Sequence, residues 1–246
     1  MKKKDLSPIR MQQIGFSQRE FLYLFILNEL TAGESYPKVI HQKLRSSFPE
    51  KVHSYDHVCK ISKKMAQEEL VDLSLQHRKH ILQLTEKGRD LLHEYRKQSG
   101  ERILEVKKVV DRFVKELTGT GPTTPVTNQL SEEYRPFFSK LVSVKDLVRF
   151  ITLKEAMSQK EVYMSEVRSI LKDKFGWEAS SGYLYVLANE MEENNLVIGR
   201  WENPKRSRRF LHITEEGKFH FKQIAESTRE RLLLIQKFLN RILLLL

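Results

Sequence analysis

Ser180-Ser181-Gly182-Tyr183-Leu184-Tyr185-Val186-Leu187-Ala188-Asn189-Glu190-Met191-Glu192-Glu193-Asn194-Asn195-Leu196-Val197 runs into Ile198-Gly199-Arg200-Trp201, then Pro204-Lys205-Arg206-Ser207-Arg208-Arg209-Phe210 and Ile213-Thr214-Glu215-Glu216-Gly217. Leu184, Leu187, Met191 and Leu196 give a helical apolar face, and Ser180 and Ser181 offer hydroxyls as N-caps. Residues 197–201 and 210–213 are short β-prone runs joined by an Asn203-Pro204 turn, an antiparallel pair with a cationic tip. The order is helix, strand, hairpin, strand, helix start.

The first half of the chain has the same order. Residues 16–30 read as a helix in which Phe21, Leu24, Phe25, Ile26 and Leu27 crowd one broad face. A second helix runs from about 36 to 48, with Pro37 in its first turn and Val39, Ile40, Leu44 and Phe48 toward the core. A third covers about 54–69, with Val58, Ile61 and Met65 apolar. Residues 71–75 alternate as a strand, 76–80 form a basic tip carrying Arg78 and Lys79, 81–84 return, and Thr85-Glu86-Lys87-Gly88 follows. Leu84 to Gly88 match Ile213 to Gly217, and Met65 and Leu70 match Met191 and Leu196, the second wing being three residues longer. A repeat of this length means two copies of one domain. The expected fold is therefore mainly α with small β wings (α+β): two tandem winged helix-turn-helix domains, residues 1–117 and 131–246, joined by a linker at 118–130.

After Gly88 the chain reads helical to about 117, with a weak point at Ser99-Gly100. Ile103, Val106, Val110, Phe113 and Leu117 form a heptad seam, repeated without a gap by Leu232, Ile235, Leu239, Ile242 and Leu246. Two heptads need a partner, and the nearest one is in the same chain. Antiparallel pairing of the two long helices makes an intramolecular pseudo-dimer and needs only a short linker, which Thr118 to Pro125 supply. Tyr134, Pro136, Phe137 and Phe138 are expected to dock the return segment on the second core.

Ser181-Gly182-x-Leu184-Tyr185, the leucine-rich helix, Leu196-Val197 and Arg208-Arg209-Phe210-x-x-Ile213-Thr214-Glu215-Glu216-Gly217 resemble the PadR-type transcriptional regulators. The Thr-Glu-x-Gly ending is shared with MarR-type and other winged-helix regulators. The chain also resembles the smaller replication terminator proteins. Both families dimerise through terminal helices, so the resemblance implies one chain doing what two chains do there. It also makes Ser181, Tyr183 and Tyr185 contact candidates; packing in the core is the alternative for both tyrosines, and an equal one for Tyr185.

Only a helix or a two-stranded ribbon fits the major groove, so the third helix and the wing of each copy are the candidate DNA-binding elements. In the second copy these contribute Ser181, Tyr183, Tyr185 and Asn189 from the helix and Arg200, Lys205, Arg206, Arg208 and Arg209 from the wing. Glu190, Glu192 and Glu193 should face away from phosphate. In the first copy Ser54-Tyr55-Asp56-His57-Val58 departs from the PadR pattern; Tyr55 and His57 remain base-side candidates, while Lys60, Lys63 and Lys64 are spaced to reach phosphates, with Arg78 and Lys79 at the tip. A net charge of +11 favours a polyanionic partner.

The single cysteine, Cys59, excludes an intramolecular disulfide and fits a reducing cytoplasm. His57, Cys59, His77 and His80 match no standard ligand spacing, so neither metal nor cofactor is expected. No apolar run approaches the ~20 residues of a membrane span; Leu243 to Leu246 could lie on a membrane surface, but the matching Val114 to Leu117 favours burial against the partner helix. No phosphate loop, nucleophile motif or paired carboxylates point to an enzyme. The expected function is sequence-specific binding of double-stranded DNA by a cytoplasmic PadR-like transcriptional regulator, a repressor, of bacterial or phage type. Replication-fork arrest is a second role of that class, and a winged-helix protein-interaction module without DNA binding is the rival. A homodimer of such chains would be a dimer of pseudo-dimers.

Overall fold

The computed structural model describes residues 8–51, 53–76, 79–122, 125–159, 161–202 and 209–246. They are mostly helical with small antiparallel sheets, an α+β composition consistent with winged helices. The chain packs as two units, Glu105–Gln236 and Ser7–Leu104 with Lys237–Leu246. No helix among the described residues is long and apolar enough to cross a membrane.

In the unit that begins the chain, a 3-10 turn, Met11–Ile14, leads into helix α1, Gln18–Leu30. The α1 start is a capping box: Glu20 N–H donates to Ser17 Oγ at 3.1 Å and Ser17 N–H donates to the Glu20 carboxylate at 2.7 Å. The expected single broad face is in fact the whole circumference, because every residue from Phe21 to Leu27 is buried; α1 is the central core helix. Helix α2 is Pro37–Ser47 and α3 is Tyr55–Gln67, with Ser54 Oγ accepting His57 N–H at 3.2 Å. Ile40, Leu44 and Phe48 are buried as their spacing predicts, but Val39 is on the surface. Strands β1, Val71–Gln76, and β2, Lys79–Leu84, pair antiparallel with Val71 opposite Leu84.

Helix α4, Glu86–Thr118, is unbroken across Ser99-Gly100. Ser99 is buried and its Oγ accepts Arg102 Nη2 at 3.0 Å, so local packing holds the turn that low propensity would loosen. In the second unit α5 is Arg135–Leu141, α6 Val144–Gln159, α7 Met164–Phe175 and α8 Ser181–Glu193; α9, Glu215–Leu243, belongs to it as far as Gln236. A two-residue strand β3, Val162–Tyr163, joins β4, Val197–Trp201, and β5, Arg209–Ile213, in the order β3-β5-β4. The first unit has a single bridge, Ser35 to Leu82, at the corresponding place. Of the return-segment residues, Phe138 is fully buried against Phe113 and Trp177, Tyr134 and Phe137 are half-buried, and Pro136 lies on the surface.

The two hairpin-to-helix junctions share backbone detail. Glu69 and Asn195 end α3 and α8 in the left-handed conformation, at φ 60° and 54°. Thr85 Oγ1 donates to Glu69 O at 2.8 Å and accepts Gly88 N–H at 3.1 Å; Thr214 Oγ1 donates to Asn195 O at 2.6 Å and accepts Gly217 N–H at 2.9 Å. A Cβ on Gly88 would lie 2.1 Å from Leu70 O, and one on Gly217 2.0 Å from Leu196 O. The Thr-Glu-x-Gly motif is thus a helix start pressed onto the wing's entry carbonyl, where any side chain collides.

The long helices also carry matched arginines. In one unit Arg112, on α4, donates to Phe175 O at the end of α7 at 2.9 Å and to Pro125 O at 2.8 Å. In the other, Arg241, on α9, donates to Ser47 O at the end of α2 at 2.7 Å and forms a bidentate pair with Glu50 at 2.6 and 3.1 Å. Both neutralise carbonyls that a helix end leaves without partners. The seam positions Ile103, Val106, Val110, Phe113, Leu232, Ile235, Leu239 and Ile242 are all buried, while Leu117 and Leu246 are half-buried; of the terminal leucines expected to be covered, Leu244 is exposed because it faces away from the side that buries Ile242 and Leu245.

Candidate nucleic-acid interface

Helix α3 is amphipathic because Val58, Ile61 and Met65 are buried, and this turns Tyr55, His57, Lys60, Lys63 and Lys64 to the surface. His57, Lys60 and Lys64 follow one another at three and four residues, so they line one face. No ion pair holds the three lysines among the described residues. At the start of the helix the His57 ring lies parallel to that of His53 at 5.7 Å, and His41 sits edge-on to Tyr55 at 5.9 Å. His41 Nε2 lies 2.8 Å from His53 O. Burial, with the neighbouring His57, Lys51 and His41, holds His53 below the usual imidazole pKa. Sequence reading did not find His41 or His53; His53 precedes the α3 cap in the chain, and the packing of α2 brings His41 to it.

Helix α8 buries Leu184, Leu187, Ala188 and Met191 and exposes Ser181, Gly182, Tyr183, Tyr185, Val186 and Asn189. Of the two positions left open for Tyr185, the surface one is observed, with 49% exposure. Tyr183 is half-covered and lines a shallow cleft of about 520 Å³ with Trp177, Ser143, Arg135 and Lys145. Burial, then the Glu190 charge, raises its phenol pKa.

Two of the three acidic residues of α8 are compensated from behind, while Glu193 lies on the surface. Glu190 pairs with Lys145 and, at 3.4 Å, with Arg149. Glu192 accepts Gly199 N–H at 2.9 Å and pairs with Arg209. Arg209 also donates to Asn189 Oδ1 at 2.6 Å and lies 5.5 Å from the Trp201 ring centre. The structure therefore brings Arg209 and Asn189 together in one internal network. Arg200 is exposed and lies 3.4 Å from Glu161, which His212 also approaches at 3.3 Å. In the other wing, Lys79 sits 5.6 Å from the ring centre of Tyr36. Lys205, Arg206, Arg208 and Arg78 lie outside the described residues.

Residues 153–223, from within α6 to the first turns of α9, match the family model of the PadR-like transcriptional regulators. The matched segment contains α8, both strands of its hairpin and the Thr-Glu-x-Gly helix start. Residues 1–152 lie outside it. No curated protein matches the chain.

Proposed function

We propose that this chain is a sequence-specific double-stranded DNA-binding protein, a PadR-like transcriptional repressor built as two tandem winged helices, 1–117 and 131–246 across the linker 118–130, paired as an intramolecular pseudo-dimer. The DNA-binding reading is carried by one observation: the PadR-like match covers a helix with an exposed outer face followed by a two-stranded hairpin. Helix α3 stands at the same place in the repeat and presents Lys60, Lys63 and Lys64. The pseudo-dimer is supported by Arg112 and Arg241, equivalent in the repeat, each closing the end of a helix from the copy to which its own long helix does not belong.

The contact residues follow. Tyr55, His57, Lys60, Lys63, Lys64, Arg78 and Lys79 serve one half-site, and Ser181, Tyr183, Tyr185, Asn189, Arg200, Lys205, Arg206, Arg208 and Arg209 the other, with Arg209 and Asn189 acting through the wing they brace. Because the helices differ, one chain should prefer a non-palindromic site. The test is selection of bound duplexes from random sequence, then titration at several salt concentrations. Release of several counterions gives a steep loss of affinity with salt. A flat salt dependence and no enriched sequence would reject this reading in favour of a protein-interaction module, which the acidic α8 and the divergent start of α3 favour.

A further inference from the structure

A single exposed apolar residue needs no explanation, but the two wings carry one at the same place. In the first wing Val71 opposite Leu84 and Leu73 opposite Leu82 lie on one face of the hairpin, and the next pair outward on that face is Leu75 opposite His80. In the second the same steps are Val197 opposite Ile213, Gly199 opposite Leu211 and Trp201 opposite Arg209. The repeat aligns both members of the outer pair: Leu75 matches Trp201 at the offset of Leu70 and Leu196, and His80 matches Arg209 at the offset of Leu84 and Ile213. Along each first strand the face passes from buried through half-buried to exposed, ending with Leu75 at 67% and Trp201 at 40% exposure.

The flanks of the two residues differ: Ser74 and Gln76 beside Leu75 stand where Arg200 and Glu202 flank Trp201. An apolar side chain thus recurs between unlike neighbours, where the face has run out into solvent and calls for a polar residue. What it serves lies outside the chain. The setting is cationic in both wings, with Lys79 and His80 across from the end of β1 and Arg200 and Arg209 around Trp201. The Arg209 guanidinium, held by Glu192 and Asn189, lies 5.5 Å from the indole ring centre and fixes that ring in place.

We propose that Leu75 and Trp201 enter the minor groove and open a base step, so that each wing bends the duplex where it lands. The proposal rests on the DNA-binding reading above. With the third helix of a copy in the major groove, its hairpin, which starts at Val71 just after α3 ends at Gln67, reaches the flanking groove. The minor groove is about 6 Å wide, too narrow for a helix but open to a side chain near the end of a hairpin. An apolar wedge there pries a step apart and bends the duplex onto more protein surface. Leucine has the shape of a wedge and indole stacks on the opened base, while the surrounding cations face the phosphates on either side. Such a contact reads deformability, and pyrimidine–purine steps open most easily, so selected sites should carry TA or CA under each wing.

The experiment uses the full chain and its selected duplex. Bending is read from the gel mobility of circularly permuted fragments, and unstacking from aminopurine, a fluorescent adenine analogue, placed at each step in turn. The parent should bend the duplex by about 20–90° and brighten the probe at one step under each wing. Leu75→Ala should silence one of these steps and Trp201→Ala the other, each lowering affinity about tenfold. Leu75→Met and Trp201→Phe, which keep an apolar side chain, should keep the bend, and this separates loss of the wedge from loss of fold. Salt-dependent binding to an unbent duplex, a bend that persists in the double alanine variant, or a bend lost in the methionine and phenylalanine variants overturns the wedge reading alone. Failure to bind any duplex with salt-dependent affinity overturns the DNA-binding reading with it.

Discussion

Replacing Arg112 with methionine isolates the anchor at the end of α4, because methionine keeps the aliphatic stem and removes the guanidinium. Arg112 is 8% exposed and donates to two carbonyls, Phe175 O in a buried setting and Pro125 O in a partly buried one. A hydrogen bond from a charged donor contributes about 1.5–3 kcal/mol net, and an orphaned buried carbonyl costs a comparable amount. The Pro125 carbonyl regains water when the arginine is gone, so only the Phe175 bond counts in full. Burial opposes the charge and holds the Arg112 pKa below its usual value, which offsets part of the gain. The expected net loss is about 2–3 kcal/mol. For a chain of this size that lowers the melting temperature by roughly 4–12 °C. Arg112→Lys, which keeps the charge but cannot span both carbonyls, should fall between parent and methionine variant. Melting would be followed by circular dichroism and calorimetry. A methionine variant that melts within about 2 °C of the parent would show that the arginine does not hold α4 to the end of α7.

Val110→Glu and Leu239→Glu each place an unpaired charge at a position with no exposure and should each cost several kcal/mol, on the order of 3–5; parent-like melting in both would remove the paired seams from the proposal. Gly217→Ala should destabilise by more than about 2 kcal/mol because its Cβ collides with a main-chain oxygen, which urea denaturation would read. Lys63 and Lys64 changed together to alanine should reduce the salt slope of DNA binding by up to about two without altering the selected sequence; an altered sequence preference would mean that these lysines touch bases. The folded-state pKa of His53 lies below its unfolded value near 6.5, so its contribution to stability is fully present above that pH and is lost as pH falls toward the folded pKa. His53→Gln should flatten stability between about pH 7 and pH 5; an unchanged slope there would assign the titration to other groups. Glu116 behaves alike at lower pH: burial raises its pKa, but hydrogen bonds from Lys154 and Lys174 outweigh this and hold it below 4.5, so stability should drop as pH falls through that folded pKa.

Much of the fold is legible in the sequence because its signals are local. The β1–β2 and β4–β5 hairpins follow from alternation, the third helices from serine caps and apolar spacing, and the seams from heptads. The parts that escape are those whose cause is remote. Strand β3 is two residues long and exists only because β5 offers an edge. Val39 shares a helix with buried residues yet sits past the edge of the contact face. Arg112 and Arg241 are visible as a repeated pair, but their carbonyl partners lie far away in the chain. At the site, the surface positions of Tyr55, Lys60, Tyr183 and Tyr185 follow from helical phase. The engagement of Arg209 by Glu192 and Asn189 does not, because it depends on how β5 crosses α8. Gly182 stands in the sequence as part of a motif, and only the open space around it shows that the fold does not require it.

The unit formed by residues 7–104 is completed by residues 237–246, and this orders events on the ribosome. Phe48 lies under Arg241 at 5.0 Å, and Lys51 faces the Phe238 ring at 5.5 Å. Until the end of α9 has been made, that flank of the first-synthesised helices has no cover. At about 5–20 residues per second, the wait between translating residue 104 and residue 246 is on the order of ten seconds. For that interval the nascent chain shows an apolar surface awaiting one particular segment, long enough for chaperones to bind it, or for the same surface on a neighbouring nascent chain to find a terminal helix that is not its own.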